Sequence, residues 1–184
     1  NECIANCEKT PDKDEKVKDL PQAHSSIGDL ELEKYEKGKI AWDDDEATSL
    51  INESSLIVLF EYNEVKVLFT GDAGKKGLRQ AIDFAKEKGI NLNDCSIIKM
   101  PHHGSRKNVD PGIMDNFRGS EKLYYSCASG DCGHHPSRRL INMLNEKGFR
   151  QLSTSGRILH WGVRAPDRGW PKASAIESFD KIEK

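Results

Sequence analysis

The acidic and histidine residues that could do chemistry in this chain follow short apolar stretches. Asp72 ends VLFTGD, and His102 with His103 lie in KMPHHGS. Another pair, His134 and His135, lies in DCGHHP. A carboxylate with several neutral imidazoles is a ligand set of zinc, and manganese or iron also accept it. These residues therefore predict a site for a divalent metal ion.

A divalent ion in such a site would make hydrolytic chemistry accessible. It lowers the pKa of a bound water to about 7, so that hydroxide forms near neutral pH. Two ions together can stabilise the attacking and leaving oxygens of a phosphodiester. A nearby histidine that does not bind metal can donate a hydrogen bond to a phosphoryl oxygen or protonate a leaving group. Each motif alone is common in proteins. The occurrence of all three motifs in this order indicates a site.

The elements expected to position these motifs alternate between strands and helices. Two apolar runs, 54–62 and 65–71, are separated by Asn-Glu and predict a β-hairpin of largely buried strands. Helical spacing with glycine stops predicts three helices, over 74–89, 110–119 and 136–148. Further strands are predicted at 95–100, 122–128, 150–155 and 157–163, and a final short helix at 173–182. The alternation predicts an α/β fold in which the three polar loops meet at one edge of the sheet.

Composition narrows the class of protein. The chain has 184 residues, 36% hydrophobic and 32% charged, which suits one modest core. A net charge of −2 is not the basic excess typical of nucleic-acid binding. No apolar run approaches the roughly 20 residues of a membrane helix. Five cysteines without an export signal favour reduced thiols and a cytoplasmic location.

The first fifty residues differ from the remainder. Residues 1–50 are polar and partly irregular, and we expect them to be a linker or the continuation of a missing N-terminal half, because the chain begins at Asn1 rather than Met. The acidic run Asp43–Asp45 is typical of a solvated loop. Residues 51–184 carry the α/β pattern and all three motifs.

The region from Asn52 to Ile158 resembles the C-terminal half of a metallo-β-lactamase-fold hydrolase, in the branch of ComEC-type DNA-uptake proteins and phosphorylcholine esterases. The matching pieces are NESSLIVLFEYNEVKVLFTGD, SIIKMPHHGSRKN and YYSCASGDCGHHPSRRLINMLNEKGFRQLSTSGRI. They are similar to the family's N-x-x-S strand, its LLTGD, its K-x-x-HHGS and its S-x-G…GHP with a following helix and hairpin. The resemblance implies half of an αββα sandwich, a mixed β-sheet flanked by helices.

The resemblance also implies roles for the first two motifs. Asp72 would be a carboxylate that bridges two divalent metal ions, with zinc expected first and manganese or iron as alternatives. His103 would be a ligand of one of these ions. His102 would be a catalytic residue that faces the phosphoryl oxygens of the substrate, with Ser105 beside it shaping the loop.

The third motif departs slightly from the family pattern. His134 would be the catalytic residue of the GHP position that lines the pocket, but the sequence reads GHHP, so His135 competes for this role or binds substrate. His160, in ILHWG, is more typical of packing than of metal binding. Neighbouring cations could meet phosphate groups or could equally be solvated surface charges, namely Arg106, Lys107, Arg138 and Arg139.

One defining element of the family is absent. HxHxDH, which supplies most of the metal ligands, does not occur in this chain, and the only earlier histidine is His24. His24 could be a lone ligand, without a partner nearby. Two explanations are possible: an N-terminal half or a second polypeptide supplies HxHxDH, or the site is degenerate. The survival of Asp72 and His103 favours the first explanation.

These observations predict one function and leave two alternatives. The predicted function is a metal-dependent phosphodiesterase or nuclease that uses metal-bound hydroxide on a phosphate-containing substrate, with nucleic acid as a candidate. It would need the half that carries HxHxDH. The first alternative is a catalytically degenerate module that acts in binding or assembly. The second is a lactonase or thioesterase, against which the HHGS and GHP motifs count.

Overall fold

A five-stranded mixed sheet forms the centre of the molecule. The computed structural model describes residues 31–40, 42, 48–119, 122–125, 135–154, 166–170 and 172–183. Its strands are β1 (Leu32–Lys34), β2 (Val58–Tyr62), β3 (Val65–Phe69), β4 (Ile97–Lys99), β5 (Lys122–Tyr125), β6 (Arg150–Ser153) and β7 (Lys181–Glu183). The main sheet has the order β2-β3-β4-β5-β6, antiparallel between β2 and β3 and parallel from β3 to β6. β1 and β7 form a separate antiparallel pair.

Helices connect the parallel strands, so the predicted α/β class is confirmed. The α-helices are α1 (Leu50–Glu53), α2 (Lys75–Glu87), α3 (Pro111–Met114) and α4 (Arg138–Glu146), with 3₁₀ turns at Pro101–Gly104 and Asp115–Phe117. α2 buries Leu78, Ile82 and Ala85, the residues that its helical spacing predicted. α4 begins after Ser137, whose Oγ accepts a hydrogen bond from the Leu140 amide, so Pro136 lies just outside the helix.

The core lies between the helices and one face of the main sheet. Central strands contribute Leu68, Ile98 and Leu123, each less than 5% exposed. From α4, Leu140 and Leu144 are fully buried against the same cluster. Side chains alternate between the two faces of a strand, so the intervening residues of β3 to β5 point to the opposite face, away from this core.

The predicted burial of the hairpin is wrong for β2. Leu59 packs against the core, but Phe60 is 52% and Tyr62 66% exposed. β2 is an edge strand, and its alternate residues lie on the face of the sheet that the helices do not cover. The apolar run of β2 is therefore not evidence of burial on both faces.

The predicted helix over 173–182 is also wrong. This segment is extended and ends in β7, because its backbone groups find partners on other elements. The Ile176 amide donates to the Gln151 carbonyl (2.9 Å). Phe179 exchanges two hydrogen bonds with the side chain of Asn142, at 2.7 and 2.8 Å. Such partners favour an extended chain over intrahelical bonds.

Several other predictions concern the ends of the chain. Ile40 and Trp42 pack against the main core, although they belong to the polar first fifty residues. The predicted strand over 157–163 and the acidic loop Asp43–Asp45 lie outside the described residues. Among the helices that the structure does describe, none is long and apolar enough to cross a membrane.

Cys95 is expected to be an inert thiol in the folded protein. It is fully buried between α2 and β4, and burial together with the charge of Asp94 raises the pKa of its thiol to about 11. At a pH near 8, iodoacetamide should therefore label Cys95 slowly in buffer and rapidly in urea, as followed by mass spectrometry of its peptide. Equal labelling rates under both conditions would contradict this assignment.

Candidate functional site

Loops after β3 and β4 and the chain before α4 meet at the carboxyl-terminal edge of the parallel strands. The loop after β3 carries Asp72, and its Gly71 carbonyl accepts a hydrogen bond from the His102 amide (3.2 Å). The Ser137 amide, at the start of α4, donates to the Gly104 carbonyl (3.0 Å). Backbone bonds thus join the segments of all three motifs at the edge where open α/β sheets bind ligands.

The structure brings three of the predicted histidines together. The ring centroid of His102 lies 6.0 Å from that of His103 and 5.3 Å from that of His135. His103 is exposed, whereas His102 and His135 are partly buried. His134 lies outside the described residues, as do His24 and His160.

The backbone of the PHHG turn is held in an unfavourable conformation. His102 has φ 43° and His103 has φ 55°, both in the left-handed region. Residues in sparsely populated conformations cost about 1–3 kcal/mol each, and they cluster at functional sites. Ser105 stabilises the turn, since its amide donates to the His102 carbonyl and its buried Oγ accepts from the Lys107 amide.

A short helix, α1, forms one wall of the site. Asn52, which the resemblance assigned to a strand, lies instead in this helical turn. Its Nδ2 lies 3.1 Å from Nδ1 of His102 and donates to Oγ1 of Thr48 at 2.7 Å. Three residues further on, Oγ of Ser55 accepts a hydrogen bond from the Asp72 amide (3.2 Å). Both the His102 and the Asp72 loops are therefore braced by residues that we had not assigned to the site.

The position of α1 depends on a close approach at the start of α2. Oε2 of Glu53 accepts a hydrogen bond from the Gly77 amide (2.8 Å), so a carboxylate of the protein occupies this helix N-terminus. A Cβ at Gly74 would lie 2.1 Å from Oε1 of Glu53 and 2.2 Å from Cγ2 of Thr48. A side chain at residue 74 would therefore require the Glu53 and Thr48 side chains to shift.

Asn108 holds the Asp72 loop from beneath. This side chain is fully buried, and its Nδ2 donates to the carbonyls of Asp72 (2.9 Å) and Ala73 (3.2 Å). Nothing in the spacing of the sequence marks Asn108 as part of the site, because it lies in a polar loop with no pattern of its own. Its role depends on a contact across 36 residues of chain.

The cations near the site fall into two groups. Arg138 stacks over the ring of Phe179 at 5.1 Å, and Arg139 pairs with Glu33 at 3.2 Å. Arg139 is therefore a buried ion-pair partner rather than a solvated charge, and Arg138 packs on the C-terminal segment. Nζ of Lys99 lies 3.4 Å from the Gly71 carbonyl and adds a cation that the sequence analysis had not singled out. Arg106 and Lys107 directly follow the PHHGS turn.

The side chains at this edge are of types that bind divalent ions, but few of them lie close together. Within the part of the chain that is described, no group of three or more histidine, cysteine or acidic side chains is gathered closely enough to hold a metal. Protein metal sites that hold zinc have three or four protein ligands. Asp72 and His103 would therefore be an incomplete set, which fits a divalent ion only if further ligands join them.

The face of the sheet that adjoins the site is apolar and open. It presents a cavity of about 300 Å³ beside Lys99. The residues that line it are Val67, Phe69, Ile97, Lys99, Tyr124, Leu152 and Ala173. Phe69 is 48% exposed, and the neighbouring Val58 and Phe60 extend the same surface along β2.

Comparison with known proteins identifies no relative of this chain. No protein-family model matches the chain, and no curated protein or solved structure matches it.

Proposed function

We propose that this chain is the C-terminal half of a metal-dependent phosphodiesterase or nuclease of the metallo-β-lactamase fold, in the ComEC-type branch. In this proposal, a second half with HxHxDH completes the site. Asp72 and His103 hold divalent metal, with zinc expected first. His102 and the GHHP histidines face the phosphate of the substrate.

The meeting of three loops at one sheet edge is the observation that carries this proposal. Asp72, the strained His102–His103 pair and His135 come from different loops, yet backbone bonds and ring contacts join them. Residues with this combination of types rarely converge for packing alone, because the exposed His103 contributes little to the core. The left-handed backbone at both histidines would be retained for a function that requires it.

The open apolar face supports the proposal of a second half. Sheets with parallel strands are ordinarily covered on both faces, and domains are built from packed layers. Here the described helices cover one face, while Phe60 and Phe69 are about half exposed on the other. A second layer on this face would lie next to the site edge, because Lys99 borders both. Further metal ligands could reach Asp72 and His103 from that layer.

Charge at the edge supports an anionic substrate. Lys99, Arg106 and Lys107 border the histidines, and the nearby carboxylate of Glu53 is already bound to the start of α2. Cations that border a pocket favour phosphate groups.

Each residue of the site would then have a separate role. A bound divalent ion would supply positive charge and an activated water. Asp72 and His103 would hold it, and Ser55 and Asn108 would keep the Asp72 loop in position. His102 would donate a hydrogen bond to a phosphoryl oxygen as negative charge develops there.

Metal content is the first test of the proposal. Elemental mass spectrometry is expected to find about two metal ions per assembly when the half with HxHxDH is present, and few on this chain alone, because the ligands are shared. In the assembly, Asp72→Ala and His103→Ala should each abolish metal retention and hydrolysis of bis(p-nitrophenyl) phosphate, with the near-UV circular dichroism of the chain unchanged.

A matched control and two contrary outcomes complete this test. Asp83→Ala removes an exposed carboxylate on α2, away from the site edge, and should keep both metal and activity. Full activity of either site variant would refute the assignment of Asp72 and His103. No metal in either the chain or the assembly would favour the alternative function, a degenerate module that binds or assembles.

A further inference from the structure

We infer that Asn52 is a positioning residue that holds His102 with its ring proton on Nε2, so that His102 offers its Nε2–H as a hydrogen-bond donor to the substrate. The inference rests on the proposed function for the identity of the substrate oxygen. The hydrogen bond itself stands on the geometry of α1 and the PHHG turn.

The amide nitrogen of Asn52 determines where the proton of His102 lies. Nδ2 of an asparagine carries two hydrogens and accepts none. One hydrogen is donated to Oγ1 of Thr48 at 2.7 Å, and the other points to Nδ1 of His102 at 3.1 Å. Nδ1 must therefore accept, and a neutral imidazole that accepts at Nδ1 has its hydrogen on Nε2.

This arrangement is the opposite of that found at a metal-binding histidine. A histidine that binds metal through one ring nitrogen donates the hydrogen of the other to a carboxylate, carbonyl or water. Nδ1 of His102 faces a donor, and Nε2 keeps a proton that blocks coordination. The two neighbouring histidines are thereby given different tasks, with His102 directed to the substrate and His103 left for metal.

The location of Asn52 is fixed by contacts on both sides of α1. Oγ of Ser49 accepts from the Asn52 amide at 3.2 Å and caps the helix. Glu53 is tied to Gly77 at the start of α2. Because both neighbours are anchored, Asn52 presents its amide to His102 without having to be ordered by the substrate.

The tautomer can be measured on the full chain without metal or substrate. Long-range ¹H–¹⁵N correlation spectra of EDTA-treated protein, at a pH about 1.5 above the usual imidazole pKa near 6.5, distinguish protonated from bare ring nitrogens. The His102 signals are identified by their loss in His102→Gln. The parent chain is expected to show a bare Nδ1 and a protonated Nε2.

Three variants separate positioning from general structure. Asn52→Asp should reverse the pattern, because a carboxylate accepts a hydrogen bond from Nδ1. Asn52→Ala should average the two tautomers. Ser54→Ala is the matched control and should leave the pattern unchanged, since Ser54 lies at the end of the same helical turn and its Oγ donates to the Ile51 carbonyl.

A protonated Nδ1 in the parent chain would overturn the inference, because the amide oxygen of Asn52 would then face the ring. An unchanged pattern in Asn52→Asp would overturn it as well. In the assembled hydrolase, Asn52→Ala is expected to lower kcat by about 10- to 100-fold with metal content unchanged. Metal loss in this variant would refute the division of tasks. The expected tautomer in the chain, together with no hydrolytic activity in the assembly, would refute the hydrolase and leave the positioning role standing.

Discussion

An Asn108→Asp variant is expected to lose about 3–5 kcal/mol of unfolding free energy at neutral pH, the usual cost of an uncompensated buried charge. Asn108 is fully buried, and its amide nitrogen donates to the Asp72 and Ala73 carbonyls. A carboxylate in the same place would face two carbonyl oxygens without a hydrogen to donate. The loop that carries Asp72 should therefore be displaced, as well as the fold weakened.

The pH dependence of this loss identifies its cause. Burial raises the pKa of the introduced carboxyl, so the folded state keeps a proton that the unfolded state releases. The variant should recover stability as the pH falls below the usual carboxyl pKa, and lose it as the pH rises through the raised value. Urea unfolding between about pH 4 and pH 8 measures this, since the usual carboxyl pKa is near 4.

Asn108→Ala serves as the control for the charge. It leaves the two carbonyls without their donor and should cost about 1–3 kcal/mol, with little added dependence on pH. Equal losses for the alanine and aspartate variants at every pH would show that charge burial is not the cause. Parent-like stability of both variants would remove Asn108 from the support of the Asp72 loop.

The second large effect is expected at Asn142, which clamps the C-terminal segment to α4. Its fully buried amide donates to the Phe179 carbonyl and accepts from the Phe179 amide, at 2.8 and 2.7 Å. Asn142→Ala would leave both backbone groups without these partners, at about 2–4 kcal/mol of unfolding free energy. Hydrogen exchange at Phe179 and through the β1–β7 pair should accelerate more than exchange in β3.

An exposed asparagine provides the comparison for Asn142. Oδ1 of Asn91 accepts a hydrogen bond from the Asn93 amide in a surface loop, so Asn91→Ala should change stability by about 0.5 kcal/mol or less. If Asn142→Ala behaves in the same way, and exchange at Phe179 stays slow, then the segment is held by burial of Ile182 rather than by the amide clamp.

Patterns within short windows were sufficient for most of the central fold. The apolar spacing of Leu78, Ile82 and Ala85 predicted α2, and the glycine that follows predicted where it ends. Polar residues after successive strands predicted that His102 and His135 would meet, and their rings lie 5.3 Å apart. These predictions succeeded because periodicity reports which face of an element is buried, and parallel strands deliver their ends to one edge.

The errors share a physical cause, which is that the deciding partner lies far away in the chain. The segment over 173–182 has a helix-compatible composition, but Asn142 and Gln151 satisfy its backbone in an extended form. The residues of β2 are as apolar as those of a central strand, and only sheet order places them at an edge. A local pattern carries no information about either partner.

The sequence by itself determined the α/β class, the order of elements from β2 to β6, and the residue types that come together at the sheet edge. Tertiary structure alone decided which hydrogen bonds hold those residues and which cations lie near them. Asn52 reaches His102 across 50 residues, and Arg139 reaches Glu33 across 106. Hydrogen bonds of this kind depend on how separate elements pack, which no spacing along the chain records.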